Sequence, residues 1–515
     1  MRKMGIATAL MMVSVLASRF IGFARDVIIA AQHGATEATD AYYSAFILPD
    51  VLAYFLAGGT LSITFIPLFS GYLARGDEEG GWRLFSTIAT GVGLLVLLGT
   101  IVGEIFAPQL VPLVVPGFKG EALALCIRMT RIVLPNMMCF AIGGLLQATL
   151  LSKERFGWVA LSPVAYSVCL VGGGVILGPW VGVEGFAWGA LVGAIVGPLL
   201  IPALAVRNSL RYRPRFDFGS AGFREYLWLA VPLMLGATLI SVDEWLLKGF
   251  GSFLDEGTVS WLQNARRLML VPVAILGQAV GQAALPFLTR LYAQGKHEQL
   301  AQTLTDAMRN LAFWALIASG GLVVLARPAV FAAYRRYEFS VADADGTALL
   351  LVGFALGIAA WSVQSLIVRG FYARKNTLEP MIIGTAVAAV AVPIYWGFGD
   401  WLGGFGLSLA STLGITLNTV VLTVAFRYRH APVSLRRIAA SAGRALIAVV
   451  PAAAATWFVL GWLGDLDSAA TAAVHLAVGG VVYGGLTLGI AAALRADELS
   501  VARELAAKVR RKLRR

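Results

Sequence analysis

The first apolar stretch of the chain carries charges that a membrane-crossing helix ordinarily excludes. Arg19 and Arg25 flank Gly22, where we expect the helix to loosen or break, and Asp26 follows Arg19 by about two helical turns, so that both can share a face. An arginine facing lipid is costly, whereas one facing a water-filled cavity keeps most of its hydration. Because the planar guanidinium donates paired hydrogen bonds to phosphate, these arginines indicate a receptor for a phosphate-bearing anion.

A second polar stripe lies in the apolar stretch 258–291. Ser260, Asn264 and Arg267 are separated by four and then three residues, which puts them on one face of a helix. Arg266 stands beside Arg267, but consecutive helical residues point about 100° apart, so the two need not face the same side. This stripe is the second candidate source of cations for the anion.

Residue patterns typical of enzymes and metal sites are missing from the sequence. Cys126, Cys139 and Cys169 form no CxxC pair, and the four histidines have no HExxH spacing. The only Gly-Lys pair, Gly295-Lys296, lacks the remainder of a phosphate-binding loop. We therefore expect no enzymatic activity, no metal, no cofactor, and no transport driven by ATP bound to this chain.

Composition identifies the elements that must position these residues. Hydrophobic residues make up 58% of the 515 and charged residues 14%, against about 45–50% and about 25% in soluble domains. The charges cluster between apolar stretches long enough to cross a bilayer, which predicts an all-α polytopic membrane protein with fourteen transmembrane helices. The predicted spans are 5–31, 40–73, 84–107, 122–151, 157–178, 183–206, 225–250, 258–291, 308–327, 346–371, 379–397, 403–426, 440–463 and 470–494.

The distribution of basic residues predicts the orientation. Of the 41 lysines and arginines, 29 lie in the segments on the side of the two termini and four lie in the opposite loops. The positive-inside rule therefore places both termini in the cytoplasm. The same rule accounts for the net charge of +12, so we expect no nucleic-acid partner, and the basic tail 495–515 is predicted to lie near anionic lipid on the cytoplasmic side.

The chain also contains an internal repeat of 219 residues. Pro67 and Pro286 share this offset, and so do two ridges of small residues: Gly185, Gly189, Gly193 and Gly197 in the sixth span, and Gly404, Ser408, Thr412 and Thr416 in the twelfth. A six-helix unit duplicated in tandem keeps both copies in one orientation, a parallel repeat. The predicted regions are a first lobe 1–207, a second lobe 208–430, two additional helices 431–494 and the tail 495–515.

Several short motifs resemble one known family. The string SRFIGFARD at residues 18–26 and ATDAY at 38–42 resemble the opening of the bacterial lipid II flippase family MurJ, also called MviN. Further matches are LP at 48–49, VSW at 259–261 with ARRL at 265–268, and GFYAR at 370–374. The family belongs to the multidrug/oligosaccharidyl-lipid/polysaccharide exporter superfamily.

The resemblance implies a fold and a function. It implies two six-helix lobes around a central cavity, two final helices that form a groove for a lipid tail, and alternating access in the bacterial cytoplasmic (inner) membrane. The expected substrate is the undecaprenyl-pyrophosphate-linked peptidoglycan precursor, lipid II, a polyprenyl-pyrophosphate glycolipid. Together with the stripes above, it makes the candidate substrate-binding residues Ser18, Arg19, Arg25, Asp26, Asp40, Asn264, Arg266 and Arg267.

Two departures from the family pattern keep alternatives open. The family often carries arginines shortly after the Leu-Pro of the second helix, where this chain has Ala53 and Tyr54, and an Asp where this chain has Arg266. The alternatives are a flippase for another polyprenyl-linked glycan and a cation-coupled multidrug exporter on the same fold. A drug exporter predicts an apolar cavity with one or two acidic residues, unlike the two arginines of the first helix.

Overall fold

The fold is built from helices throughout the part of the chain that the structure covers. The computed structural model describes residues 2–56, 61–235, 239–466 and 468–499, so that the predicted tail beyond residue 499 lies outside it. The described residues form 21 α-helices, two π-helical turns and no strand. The α-helices are α1 Arg2–His33, α2 Glu37–Ser44, α3 Ile47–Leu56, α4 Leu61–Ala74, α5 Glu78–Val114, α6 Gly120–Val133, α7 Asn136–Ser152, α8 Phe156–Val181, α9 Glu184–Ala194, α10 Ile201–Val206, α11 Ala221–Leu235, α12 Leu239–Gly251, α13 Thr258–Val273, α14 Ala279–Ala293, α15 His297–Val324, α16 Ala326–Tyr334, α17 Val341–Ala355, α18 Ile358–Ala373, α19 Leu378–Arg429, α20 Leu435–Gly461 and α21 Ala469–Ala493.

The helices agree with a multi-pass membrane protein. Among the described residues, nine helical stretches are long and apolar enough to span a bilayer, or ten when the bent pair α17 and α18 forms one span. One of them, α19, covers two of the predicted spans. Its 52 residues form two consecutive helices, since the backbone at Gly403 (φ +57°) is not helical. The first, second and seventh predicted spans are not among the stretches found in the described part of the chain. The number fourteen therefore stays a prediction, whereas the all-α polytopic class is confirmed.

Prolines and caps divide the predicted second and eighth spans into segments. The chain leaves the helix at residues 45–46, shortly before Pro49, and α2 begins at a capping box between Thr36 and Thr39. Pro272 lies near the end of α13 and is followed by the π-helical turn Ala274–Gln278. A proline removes a backbone hydrogen bond and clashes with the preceding turn, which accounts for both interruptions.

Two compact units make up the chain. Unit 1 contains Met1–Ala237 and Lys248–Ser260, and unit 2 contains Thr238–Leu247 and Trp261–Arg515. In unit 1, α4, α5 and α7 surround an aromatic core in which Phe65 stacks on Phe69, and Trp82 contacts both Phe69 and Phe85 edge to face. Because lipid tails are as apolar as these side chains, close van der Waals packing and ring contacts stabilise the association of such helices within the membrane.

The small-residue ridge in the sixth span permits close helix packing within unit 1. A Cβ added at Gly189 would lie 2.6 Å from the carbonyl oxygen of Leu170, and one at Gly193 would lie 2.7 Å from that of Tyr166. The backbones of α9 and α8 therefore approach more closely than any side chain would allow. This confirms the packing interpretation of the first ridge.

In unit 2, the final two helices pack beside α15. The chain that follows α21 is fastened by Glu498, which is fully buried and accepts hydrogen bonds from the Ser441 hydroxyl and the Arg444 guanidinium, both at 2.7 Å. Burial by itself raises the pKa of Glu498, but these hydrogen bonds outweigh burial and hold the pKa below its ordinary value. Arg309 on α15 lies 3.5 Å from the same carboxylate.

Candidate anion-binding site

Helix α1 is positioned by serine contacts with α8. The Ser14 hydroxyl donates to the carbonyl oxygen of Ala160. One turn later, the Ser18 hydroxyl lies 3.4 Å from the carbonyl oxygen of Pro163 and 3.2 Å from the Ser167 hydroxyl. Ser18 therefore faces the neighbouring helix, and its contacts set the rotation of α1 that presents the following charged residues.

Arg25 and Asp26 form an ion pair on α1. The Nε and Nη2 atoms of Arg25 both lie 2.7 Å from Oδ1 of Asp26. The Asp26 side chain is 4% exposed, whereas that of Arg25 is 21% exposed. The Asp26 carboxylate is thus a buried counter-ion, while the Arg25 side chain keeps part of its exposure.

The surroundings of Arg25 are polar. Arg25 has Tyr42 and Tyr43 on α2 and Tyr166 on α8 as neighbours. Arg19 lies six residues earlier on the same helix and is exposed. Within unit 1, α1 therefore presents two accessible arginines, of which one is oriented by a buried carboxylate.

The helix is continuous at Gly22, contrary to the expectation of a break there. Gly22 lies within α1, and a Cβ placed on it would meet no atom within 4 Å. Glycine in a helix interior nevertheless lowers the resistance to bending, because its helix propensity is about 1 kcal/mol below that of alanine. The open space allows this property to be tested without a steric clash.

Because the resemblance implies transport by alternating access, we expect Gly22→Ala to stiffen α1 and to slow that transport several-fold without lowering thermal stability. The matched control is Gly144→Ala on α7, where an added Cβ also meets nothing within 4 Å. Transport rates of both variants in reconstituted vesicles provide the measurement. Equal rates for Gly22→Ala and the unmodified protein would show that bending at this position is not required.

Asp40 accepts a dense set of hydrogen bonds in unit 1. Its Oδ2 accepts from the Gly257 amide at 2.8 Å, and its Oδ1 accepts from the amide and hydroxyl of Ser260 at 2.7 and 2.6 Å. The Ser260 hydroxyl is also 2.8 Å from that of Thr39. A carboxylate at the start of α13 satisfies free amides and complements the helix dipole. Asp40 and Ser260 together therefore fasten α2 to the segment that begins α13.

We expect Asp40→Ala to loosen the start of α13 and to abolish most transport, because three donors lose their acceptor at once. A lost cap costs about 0.5–2 kcal/mol, and hydrogen bonds to a charged group contribute about 1.5–3 kcal/mol each. Faster amide hydrogen exchange at residues 257–262 would report the loosening.

The control for Asp40 is Asp77→Ala, which removes the cap of α5, where the Asp77 carboxylate accepts from the Gly80 amide at 2.7 Å. This variant should lose a similar part of the cap energy but keep its transport. Unchanged exchange at residues 257–262 in Asp40→Ala would refute the role assigned to the carboxylate.

The polar residues of α13 differ in how deeply they are buried. The Asn264 side chain is buried, and the backbone carbonyl oxygen of Asn264 accepts a hydrogen bond from the Tyr334 hydroxyl at 3.3 Å. Arg266 is 5% exposed. Arg267 is half-buried. The stripe predicted from Ser260, Asn264 and Arg267 is thus largely internal, and Arg267 is its most accessible member.

Arg266 belongs to a buried ion pair of unit 2. Its Nη1 lies 2.7 Å from Oδ2 of Asp243 on α12. The guanidinium lies over the Trp361 ring on α18, with Cζ 5.6 Å from the ring centroid. The other carboxylate oxygen of Asp243 accepts from the Tyr395 hydroxyl on α19. Arg266 therefore joins α13 to α12 and α18. Asp243 extends this network to α19 through Tyr395.

Two members of this network, Asp243 and Tyr395, were not among the predicted site residues. Asp243 had a signal in the sequence, because a carboxylate inside an apolar stretch requires a partner. Tyr395 had none, since a tyrosine 152 residues further along the chain follows no local spacing. Only the folded chain brings these two side chains together.

On α3, the positions where the sequence departs from the family pattern hold uncharged residues that pack against apolar side chains. Ala53 packs against the core of unit 1, and Tyr54 contacts Phe55 edge to face, with ring centroids 5.8 Å apart. Both residues are half-buried. Arg19 and Arg25 therefore lie on α1, and α3 contains no arginine.

Comparison with known proteins decides the family. Residues 29–465 match the family model described as lipid II flippase MurJ. The chain belongs to this family. A lipid II flippase MurJ of Burkholderia cenocepacia is 26% identical over 458 residues, which cover 86% of this chain and 89% of that protein.

Solved structures agree in fold with this MurJ family member. A structure of lipid II flippase MurJ in an inward closed conformation covers 93% of this chain and 98% of its own, with a TM-score of 0.77 at 22% identity. An inward-facing multidrug resistance MATE transporter of the MOP superfamily covers 82% of this chain and 95% of its own, with a TM-score of 0.62 at 18% identity. The chain is thus a multi-pass membrane protein with the fold shared by MurJ and MATE transporters.

Proposed function

We propose that this protein is a flippase that moves lipid II from the cytoplasmic to the outer leaflet of the bacterial inner membrane by alternating access. The observation that carries the proposal is the family match over residues 29–465. Lipid II bears a pyrophosphate, and the accessible guanidinium of Arg25 in a membrane helix provides the complementary charge. The protein therefore binds the lipid-linked substrate directly from the bilayer.

Arg25 is arranged to bind the pyrophosphate without losing its counter-ion. A guanidinium has five N–H donors in a fixed plane, and Asp26 engages Nε and Nη2 through a single oxygen. The remaining donors are available to phosphate oxygens while Asp26 holds the plane in one orientation. Substrate binding then replaces water around Arg25 and leaves the ion pair intact.

Further residues complete the proposed cycle. We assign contacts with the pyrophosphate to Arg19 and Arg267, which are exposed and half-buried, respectively. Asn264 and Arg266 are buried, and we assign them a role in positioning α13. We assign the Asp40 hydrogen bonds at the start of α13 a role in holding α2 and this segment together, since each hydrogen bond to a charged carboxylate contributes about 1.5–3 kcal/mol.

A second candidate substrate is another polyprenyl-linked glycan. The observation that favours it is the apolar packing of Ala53 and Tyr54 at positions where the family often carries arginines. A pyrophosphate shared by both lipids would still engage Arg25, so that only the sugar and peptide portions would differ. Native mass spectrometry with equimolar lipid II and a polyprenyl-pyrophosphate glycan without peptide distinguishes the two substrates.

We further propose that both termini lie in the cytoplasm. The proposal is supported by the 29 to four distribution of basic residues. A single cysteine introduced in 207–224 should resist a membrane-impermeant reagent added to intact cells, and one in 330–345 should react. The reverse labelling pattern would overturn this orientation.

The function is tested by replacement of the host's own flippase. In cells depleted of that flippase, expression of this chain should restore growth and prevent lysis, and it should not change the accumulation of cationic dyes. A chain that lowers dye accumulation and does not restore growth would instead support the multidrug exporter. The Arg25→Ala variant, expressed at the same level, serves as the inactive control.

A further inference from the structure

An extended segment between α10 and α11 is fastened across the surface of α5. We refer to residues 210–218 as the strap. Its Arg213 amide donates to the Ser86 hydroxyl and its Arg215 amide donates to the Thr90 hydroxyl, both at 3.3 Å. The Tyr212 hydroxyl also lies 3.3 Å from that of Thr90. Because Ser86 and Thr90 are one helical turn apart, they hold alternate residues of the strap along one face of α5.

The strap has one apolar and one cationic side. Successive side chains of an extended chain point in opposite directions. Leu210, Tyr212, Pro214 and Phe216 all line a cavity beneath the strap. The intervening residues are the arginines 211, 213 and 215, of which the first two are exposed and the third is half-buried. Three guanidinium groups therefore lie along the rim of an apolar cavity.

The cavity is shaped like a groove and has a volume of about 510 Å³. Its floor and walls are apolar side chains of α5, α7 and the end of the sixth span, such as Ala89, Ile142 and Leu199. Its polar atoms, on Thr90 and Tyr212, are already engaged with each other. Nothing in the groove would solvate a polar ligand, so the occupant must be apolar.

The groove opens toward the surface that faces lipid. Leu94 and Leu97 on its wall are 49% and 43% exposed, and the exposed residues Leu98 and Ile101 continue this surface along α5. From Thr90 at the strap to Leu97, the groove extends for seven helical residues, or about 10 Å. An acyl chain that entered from the bilayer would occupy this length while its headgroup stayed at the level of the strap.

We propose that the strap and the groove beneath it bind one anionic phospholipid. The acyl chain fills the groove, and the phosphate is contacted by Arg211 and Arg213, with Arg215 nearby. The charge on the rim selects an anionic over a zwitterionic headgroup, since basic residues at the membrane surface attract anionic lipid. The site lies on α5, α7 and the strap, away from Arg19 and Arg25 on α1, and does not depend on the transported substrate.

The first test uses the full-length protein in detergent and native mass spectrometry. One molecule of palmitoyl-oleoyl phosphatidylglycerol should be retained in preference to the phosphatidylcholine with the same chains. The variant Arg211→Gln/Arg213→Gln/Arg215→Gln should weaken phosphatidylglycerol binding by about tenfold or more and leave phosphatidylcholine unchanged. A matched control, Lys296→Gln/Arg427→Gln/Arg436→Gln, removes three exposed cations elsewhere and should bind as the unmodified protein does.

A second measurement locates the lipid and does not depend on the stability of any variant. Phosphatidylglycerol with a photoactivatable acyl chain should cross-link to peptides that contain residues 85–97 or 138–146. Equal binding by the strap variant and the control, or cross-links confined to other helices, would overturn the proposal. Displacement of the lipid by inorganic phosphate at equal concentration would also overturn it, because it would identify a site for a soluble anion.

Discussion

Replacing Arg25 with alanine should abolish lipid II flipping while the protein still inserts and accumulates. The substitution removes the accessible cation and leaves the buried Asp26 without the partner 2.7 Å away. Loss of a charge-assisted hydrogen bond to the pyrophosphate costs about 1.5–3 kcal/mol, which corresponds to a loss of about tenfold or more in substrate affinity. Arg25→Lys should recover only part of the activity, because an ammonium keeps the charge but not the planar donor pair.

Two further variants separate the effect of Arg25 on flipping from its effect on stability. Arg25→Ala/Asp26→Asn also removes the buried carboxylate charge, so it should regain stability but not flipping. Arg128→Ala serves as the matched control, since this side chain is 62% exposed and pairs with Glu184 on another face of unit 1. Full activity of Arg25→Ala at normal protein level, measured by complementation, would remove this arginine from the mechanism.

Arg266→Ala should have the largest effect on stability. It leaves the Asp243 carboxylate buried without its cation, and breaking such a pair costs about 3–5 kcal/mol. The melting temperature in detergent should fall by several degrees, and the yield of folded protein should fall with it. The reason is desolvation, because Asp243 would keep only the hydrogen bond from Tyr395.

The neighbouring arginine provides the contrast for this result. Arg267→Ala, at a half-buried position, should lower flipping with little change in melting temperature. The double variant Asp243→Asn/Arg266→Gln should recover much of the stability lost in Arg266→Ala, because neither charge then remains. If Arg266→Ala melted normally but no longer bound lipid II, Arg266 would be a substrate contact and not a positioning residue.

The sequence was informative where chemistry is local. Apolar stretches predicted the polytopic all-α class, and the ridge containing Gly189 predicted the close packing that the carbonyl oxygens of α8 confirm. The spacing on α13 allowed Arg266 and Arg267 to differ in direction, and their burial does differ. These inferences depend only on helical geometry, which is determined by residues close together in the sequence.

The sequence was silent where partners are distant along the chain. Asp40 was a candidate substrate residue, but its partners Gly257 and Ser260 follow it by more than 200 residues. The sequence allowed Asp26 to share a face with Arg19, but it gave no sign of the ion pair that Asp26 forms with Arg25 in the folded helix. Side-chain rotamers and tertiary packing determine which partner each of these residues contacts, and the periodicity of the sequence does not indicate either of them.

We propose that this chain carries lipid II across the membrane through its arginine contacts. The most direct test of this proposal is the fraction of lipid II in the outer leaflet of intact cells depleted of their own flippase, measured with an added enzyme that cleaves only exposed lipid II. Expression of the unmodified chain should restore cleavage, and expression of Arg25→Ala at an equal level should leave lipid II protected. Protection in both strains would contradict the function, and equal cleavage in both would contradict the role of Arg25.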